Sequence, residues 1–150
     1  MPRALASLAV AVCLLTPACG GDSKPDSFST DYNAAIERLD QASQRVIALA
    51  PARKTRSSRA IARQLDRFAD VLAATRRDLA RLTPPDRASK QFHELVGALD
   101  KSVVAGRQAA AAARAIEPAQ QRRALQDLRN AAIEVAHAQD ALGRAVNSNG

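Results

Sequence analysis

Apolar residues return along most of this chain in steps of three and four. The clearest run, Ile61, Leu65, Phe68, Leu72, Thr75, Leu79 and Leu82, is a heptad seam with one polar member. Such spacing places every member on one face of an α-helix. Tyr32, Ile36, Leu39, Ser43, Val46 and Ala50 make a similar stripe before it. Phe92, Leu95, Leu99, Val103, Gly106, Ala110 and Ala113 make a third, and Leu125, Leu128, Ala132, Val135, Gln139, Leu142 and Val146 a fourth. The pattern predicts four amphipathic helices, near residues 30–50, 56–82, 84–115 and 118–147.

Breakers stand between the stripes. Pro51 follows the first, and Glu117-Pro118 opens the fourth. In Thr83-Pro84-Pro85-Asp86, Thr83 suits an N-cap, prolines are tolerated early in a helix, and Asp86 stands where a capping-box acid would. Connections of a few residues make consecutive helices antiparallel, so the expected fold is all-α, an up-down-up-down four-helix bundle over residues 30–148. Composition agrees: one Tyr, three Phe and no Trp accompany abundant Ala, which favours helices over sheets. The stretch Gly106–Ile116, "GRQAAAAARAI", has two readings. Its alanines either let a neighbouring helix approach closely or leave a shallow groove for a partner helix.

The first residues follow another pattern. Arg3 precedes an almost unbroken run of Ala, Leu and Val from Ala4 to Leu15, which Pro17 closes. A run of about a dozen apolar residues is too short for a bilayer core, which takes about 20, and matches the h-region of a secretory signal peptide. Residues 1–18 are therefore expected to be a targeting segment. Leu14-Leu15-Thr16-Pro17-Ala18-Cys19 resembles the lipobox of bacterial lipoprotein signals, with Thr16 and Pro17 where that family favours Leu and then Ala or Ser. The resemblance implies that the Cys19 thiol receives diacylglycerol and becomes the lipidated first residue of the mature chain. Cys13, preceded by bulky Val12, fits less well. Residues 19–29 continue as "CGGDSKPDSFS", the composition of a short flexible tether. The chain as a whole resembles small helical lipoproteins of high-GC bacteria, some of which share a Leu-Thr-Pro-Pro turn before a helix, here Leu82-Thr83-Pro84-Pro85. That group brings no activity with it.

Motifs for chemistry are incomplete. Glu134-x-x-His137 occurs once, whereas a di-iron bundle needs two such motifs and two further carboxylates. His137 also falls about 200° around the helix from the apolar stripe. "HELVG" at His93–Gly97 has glycine where the second zinc imidazole would stand. Haem ligation by Met lacks its methionine, because Met1 leaves with the leader, and neither Cys-x-x-Cys-His nor Gly-x-Ser-x-Gly is present. The expectation is a protein without cofactor or catalysis.

Charge is the remaining feature. The formal net charge is +7. Arg53, Lys54, Arg56, Arg59, Arg63 and Arg67 crowd the start of helix two, opposed there only by Asp66. Arg56, Arg59, Arg63 and Arg67 recur in steps of three and four, away from the apolar seam. This strip reads either as a solvated face or as a surface for anionic headgroups or a wall polymer, where each cation adds about 1 kcal/mol. Nucleic acid is disfavoured by the export signal and by the lack of interleaved aromatic residues. Arg76, Arg77, Arg122 and Arg123 are scattered among acids in sequence and read as solubility charge. Together these features describe an extracytoplasmic bundle held to the cell membrane through Cys19, with a binding, scaffolding or structural role. Its partner is an envelope protein or an anionic polymer. A metal- or cofactor-carrying bundle is the alternative from another class.

Overall fold

The structure, a computed structural model, describes residues 27–48, 57–115 and 117–147. Four helices account for nearly all of them: α1 (Ser27–Ile47), α2 (Ser58–Leu79), α3 (Ser89–Arg114) and α4 (Pro118–Asn147), with a single 3-10 turn at Asp86–Ala88 before α3. Successive helices pack on one another, α1 on α2, α2 on α3 and α3 on α4, and the chain folds as an all-α four-helix bundle.

Helix limits follow local chemistry more closely than the stripes do. α1 begins at Ser27, earlier than expected, because Phe28 extends its buried face and stacks with Tyr32 at 5.9 Å and edge-on with Phe92 at 5.5 Å. Residues 27–29, expected in the tether, are therefore helical; Ala50 lies outside the described residues. The Ser57 hydroxyl caps α2 by accepting the Ala60 N–H at 3.3 Å. The expected start of helix three at residue 84 is wrong. Thr83 and Pro84 each precede a proline, which drives both away from the helical region. The chain turns only after Pro85, whose carbonyl accepts the Ala88 N–H at 2.8 Å, and α3 begins at Ser89 without a side-chain cap.

Two buried clusters run down the bundle. The first joins Phe28, Tyr32 and Leu39 of α1, Leu72 and Leu79 of α2, Phe92, Leu95 and Leu99 of α3, and Val135 and Leu142 of α4. The second is built from Leu65, Leu128 and six alanines, with Val46 and Ile61 against it. Alanine explains the second cluster's close packing. Ala109, Ala110 and Ala112 are 0–2% exposed, and a Cβ placed on Gly106 would stand 3.2 Å from that of Ala69. The alanine half of α3 is thus packed against its own neighbours, in line with the first of the two readings, close approach of a neighbouring helix.

In α4 the structure corrects the fourth stripe. Leu128, Val135 and Leu142 are buried as expected, but Ala132 is exposed, and Ala124 and Ala131 take the flanking buried positions. The helix turns its small residues toward α3, which allows close approach, and leaves Ile133 37% exposed.

Ion pairs mark the antiparallel register. Arg38 meets Asp78 at 2.8 Å between α1 and α2, Arg76 meets Asp100 at 2.8 Å between α2 and α3, and Lys101 meets Glu134 at 2.7 Å between α3 and α4. Arg114 pairs with Asp66 one third of the way along α2.

Candidate functional site

An antiparallel bundle brings the end of α1, the start of α2, the end of α3 and the start of α4 to one end. The ion-pair register places mid-height near Ala42, Ala74, Val104 and Ala131. Toward the end just named lie nine described cations, all arginine, against four acids; toward the other lie eight cations and nine acids. The net positive charge of the described residues is therefore concentrated in one half of the molecule.

Of the expected strip, Arg59, Arg63 and Arg67 are exposed along α2. None forms an ion pair among the described residues, and the one acid inside the strip, Asp66, is engaged by Arg114. Arg53, Lys54, Arg56 and Cys19 lie outside the described residues. The structure adds what the sequence reading set aside. Arg122 and Arg123, assigned there to scattered solubility charge, project from the first turns of α4 at the same end as Arg59. They too are exposed and without an ion pair among the described residues. Arg76 and Arg77 do behave as ordinary surface charge: Arg76 is held by Asp100, and Arg77 donates to the Ala73 carbonyl at 3.3 Å.

Arg59 stands where a cation is locally unfavourable. The start of a helix carries partial positive charge from its free N–H groups and favours acids. Neither α2 nor α4 has an acid in its first turn, and α2 has Arg59 there. The signal that finds the arrangement is charge summed by bundle end, with helix direction taken into account.

The histidines sit apart from this end. His93 is exposed, its Nδ1 lies 2.6 Å from the Ser89 carbonyl, to which the ring N–H donates, and its edge meets Phe92. His137 is exposed on α4. Among the described residues no group of three or more His, Cys, Asp or Glu is arranged to hold a metal ion. Two open hollows, of about 330 and 400 Å³, lie on the α3/α4 and α2/α3 surfaces; the first is floored by Ala105 and Ala131 beside Lys101 and Glu134, the second holds Asp70, Arg77 and Arg107. Among the described residues no helix is long and apolar enough to cross a membrane.

No family model, curated protein or solved structure matches this chain.

Proposed function

We propose that the chain is a lipid-anchored helical bundle of the bacterial cell envelope, acting through binding and without catalysis. The observation that carries the reading is Leu14–Cys19: a cysteine placed after a small residue at the end of a short apolar leader, where a thiol can be acylated and the leader removed. The start of α1 at Ser27 supports it, because that helix begins only eight residues after Cys19. Eight residues reach at most about 29 Å when fully extended. The anchor thus holds one end of the bundle next to its membrane, and that end is the one where α1 starts and charge is nearly balanced.

Intact-mass measurement of the exported product tests this. The expected species starts at Cys19 and carries the mass of a diacylglycerol group, with or without a further acyl chain, and Cys19→Ser releases the protein from the membrane fraction. An unmodified thiol on the exported chain, or a leader still attached, refutes the reading. Loading by a metal or chromophore, seen as stoichiometric metal or an absorbance band in the purified protein, would instead favour a cofactor-carrying bundle.

A further inference from the structure

The geometry points to the arginine-rich end of the bundle as a docking site for a flexible, phosphate-bearing polymer lying beyond the anchoring membrane. Five cations define it: Arg59, Arg63 and Arg67 on α2, and Arg122 and Arg123 on α4. All are exposed and none is neutralised by an ion pair among the described residues; the unpaired acids nearest in the chain are Asp70, three residues after Arg67, and Asp127, four after Arg123.

The distribution of these groups selects the occupant. α2 and α4 each pack on α3 and make no extensive contact with one another. Their outer faces therefore point in different directions, and a flat surface laid along the bundle meets one set of arginines and misses the other. Only a surface meeting the bundle end-on, or a chain that bends around the end, engages both. The end-on arrangement is closed to the anchoring membrane. By the register of the ion pairs, Arg63 lies 26 residues of helical rise below Ser27, roughly 39 Å, whereas the tether spans at most about 29 Å. A polymer that wraps satisfies both constraints. This step rests on the proposed anchor at Cys19; the clustering of the arginines does not.

Phosphate is the favoured anion because all five of these cations are arginine. The guanidinium fork makes two parallel hydrogen bonds to a phosphate group and stays charged at any pH the envelope meets.

The test uses purified full-length protein with long-chain inorganic polyphosphate as the probe, followed by fluorescence anisotropy of the end-labelled polymer. Two triple reversals are compared, Arg59→Glu, Arg63→Glu and Arg123→Glu at the proposed end, and Arg81→Glu, Lys90→Glu and Arg144→Glu at the other. They change net charge equally, and far-UV circular dichroism checks that both remain folded. Wild type is expected to bind with an affinity that falls on the order of a hundredfold between about 50 and 200 mM salt, as about five phosphate contacts imply. The first triple is expected to lose about a hundredfold or more, and the second less than tenfold. Equal losses in the two triples would overturn the site, since net charge alone would then explain binding. So would tighter binding to polyglutamate or to duplex DNA than to polyphosphate at equal charge. Binding to vesicles of phosphatidylglycerol and phosphatidylcholine without binding to polyphosphate would assign the arginines to a membrane and overturn the polymer. None of these readouts depends on acylation of Cys19, so a failed anchor and a failed docking site are told apart by the intact-mass measurement.

Discussion

Replacing Arg59 with glutamate separates a surface that is merely solvated from one kept for binding. Arg59 is the second residue of α2, two after the Ser57 cap and four before Arg63. As it stands, its cation faces the free N–H groups of the first turn and repels Arg63 across one helical turn. In Arg59→Glu the dipole interaction changes sign, with about 0.3–1 kcal/mol at stake on each side of the change. A repulsive pair also becomes a Glu-to-Lys-type attraction at i, i+4, worth about 0.2–0.5 kcal/mol each way. Solvent exposure keeps these terms at their lower limits, so the expected gain in stability is about 1 kcal/mol. Urea unfolding followed by circular dichroism measures it as a rise in midpoint at constant slope. The same variant is expected to bind polyphosphate several-fold more weakly. A stability gain without any loss of binding makes Arg59 a bystander to the docking site. A loss of stability refutes the dipole argument itself.

The remaining predictions concern the core. Gly106→Ala is expected to change stability by less than about 1 kcal/mol, because a helix-propensity gain of about 1 kcal/mol is offset by a Cβ placed 3.2 Å from that of Ala69; Gly106→Val, with two further carbons toward Ala69 and Leu72, costs about 1–3 kcal/mol, and a wild-type urea midpoint for it would show that α2 and α3 are not in close contact. Leu99→Ala, at a fully buried position shared by all four helices' cluster, costs about 2–5 kcal/mol in the same assay. Ser102→Ala is expected to be neutral or stabilising by about 1 kcal/mol, since the Ser102 hydroxyl is buried without a hydrogen-bond partner, and a lower midpoint for the variant would reveal a partner for it. Burial, and next the Asp40 carboxylate, push the Tyr32 phenol up to about 12, so the stability its neutral form contributes, about 2–3 kcal/mol, is complete below pH 10 and is lost as pH rises toward 12. Tyr32 is the chain's one tyrosine and there is no tryptophan, so absorbance near 295 nm follows it alone; a midpoint near 10, or an unchanged alkaline transition in Tyr32→Phe, contradicts this.

Number, order and direction of the helices were legible because most large apolar residues mark the buried face, with Ile47, Val104 and Ile133 as the exposed exceptions. Leu65, Leu72, Leu79, Leu95 and Leu99 are all buried where their spacing places them. Alanine carries no such mark. Ala62, Ala69, Ala124 and Ala131 are buried beside the leucines, and Ala132 next to them is exposed, yet hydrophobicity treats them alike. What decides between them is how near the next helix comes, which depends on residues distant in sequence such as Gly106 opposite Ala69. The start of α3 was misplaced for a different reason. Thr83 to Asp86 has the residue types of a helix start, but the restriction that a proline imposes on the residue before it outweighs them for two positions in a row.

Charge behaves like alanine in this respect. Arg59, Arg63 and Arg67 were visible as a strip because they lie four apart on one helix, whereas Arg122 and Arg123, more than fifty residues later, looked isolated. Antiparallel topology brings the start of α4 to the same end of the bundle as the start of α2, and five exposed arginines then share that end. Elsewhere some of the mixed charge meets across adjacent helices, Arg38 with Asp78, Arg76 with Asp100 and Lys101 with Glu134. Each exposed pair contributes little stability, about 0–1 kcal/mol. Balanced surface charge would cost the arginine-rich end nothing in folding, and an acid at position 59 would improve its helix. Guanidinium groups near the starts of α2 and α4, exposed and without ion pairs among the described residues, are what the proposed docking of an anionic polymer requires.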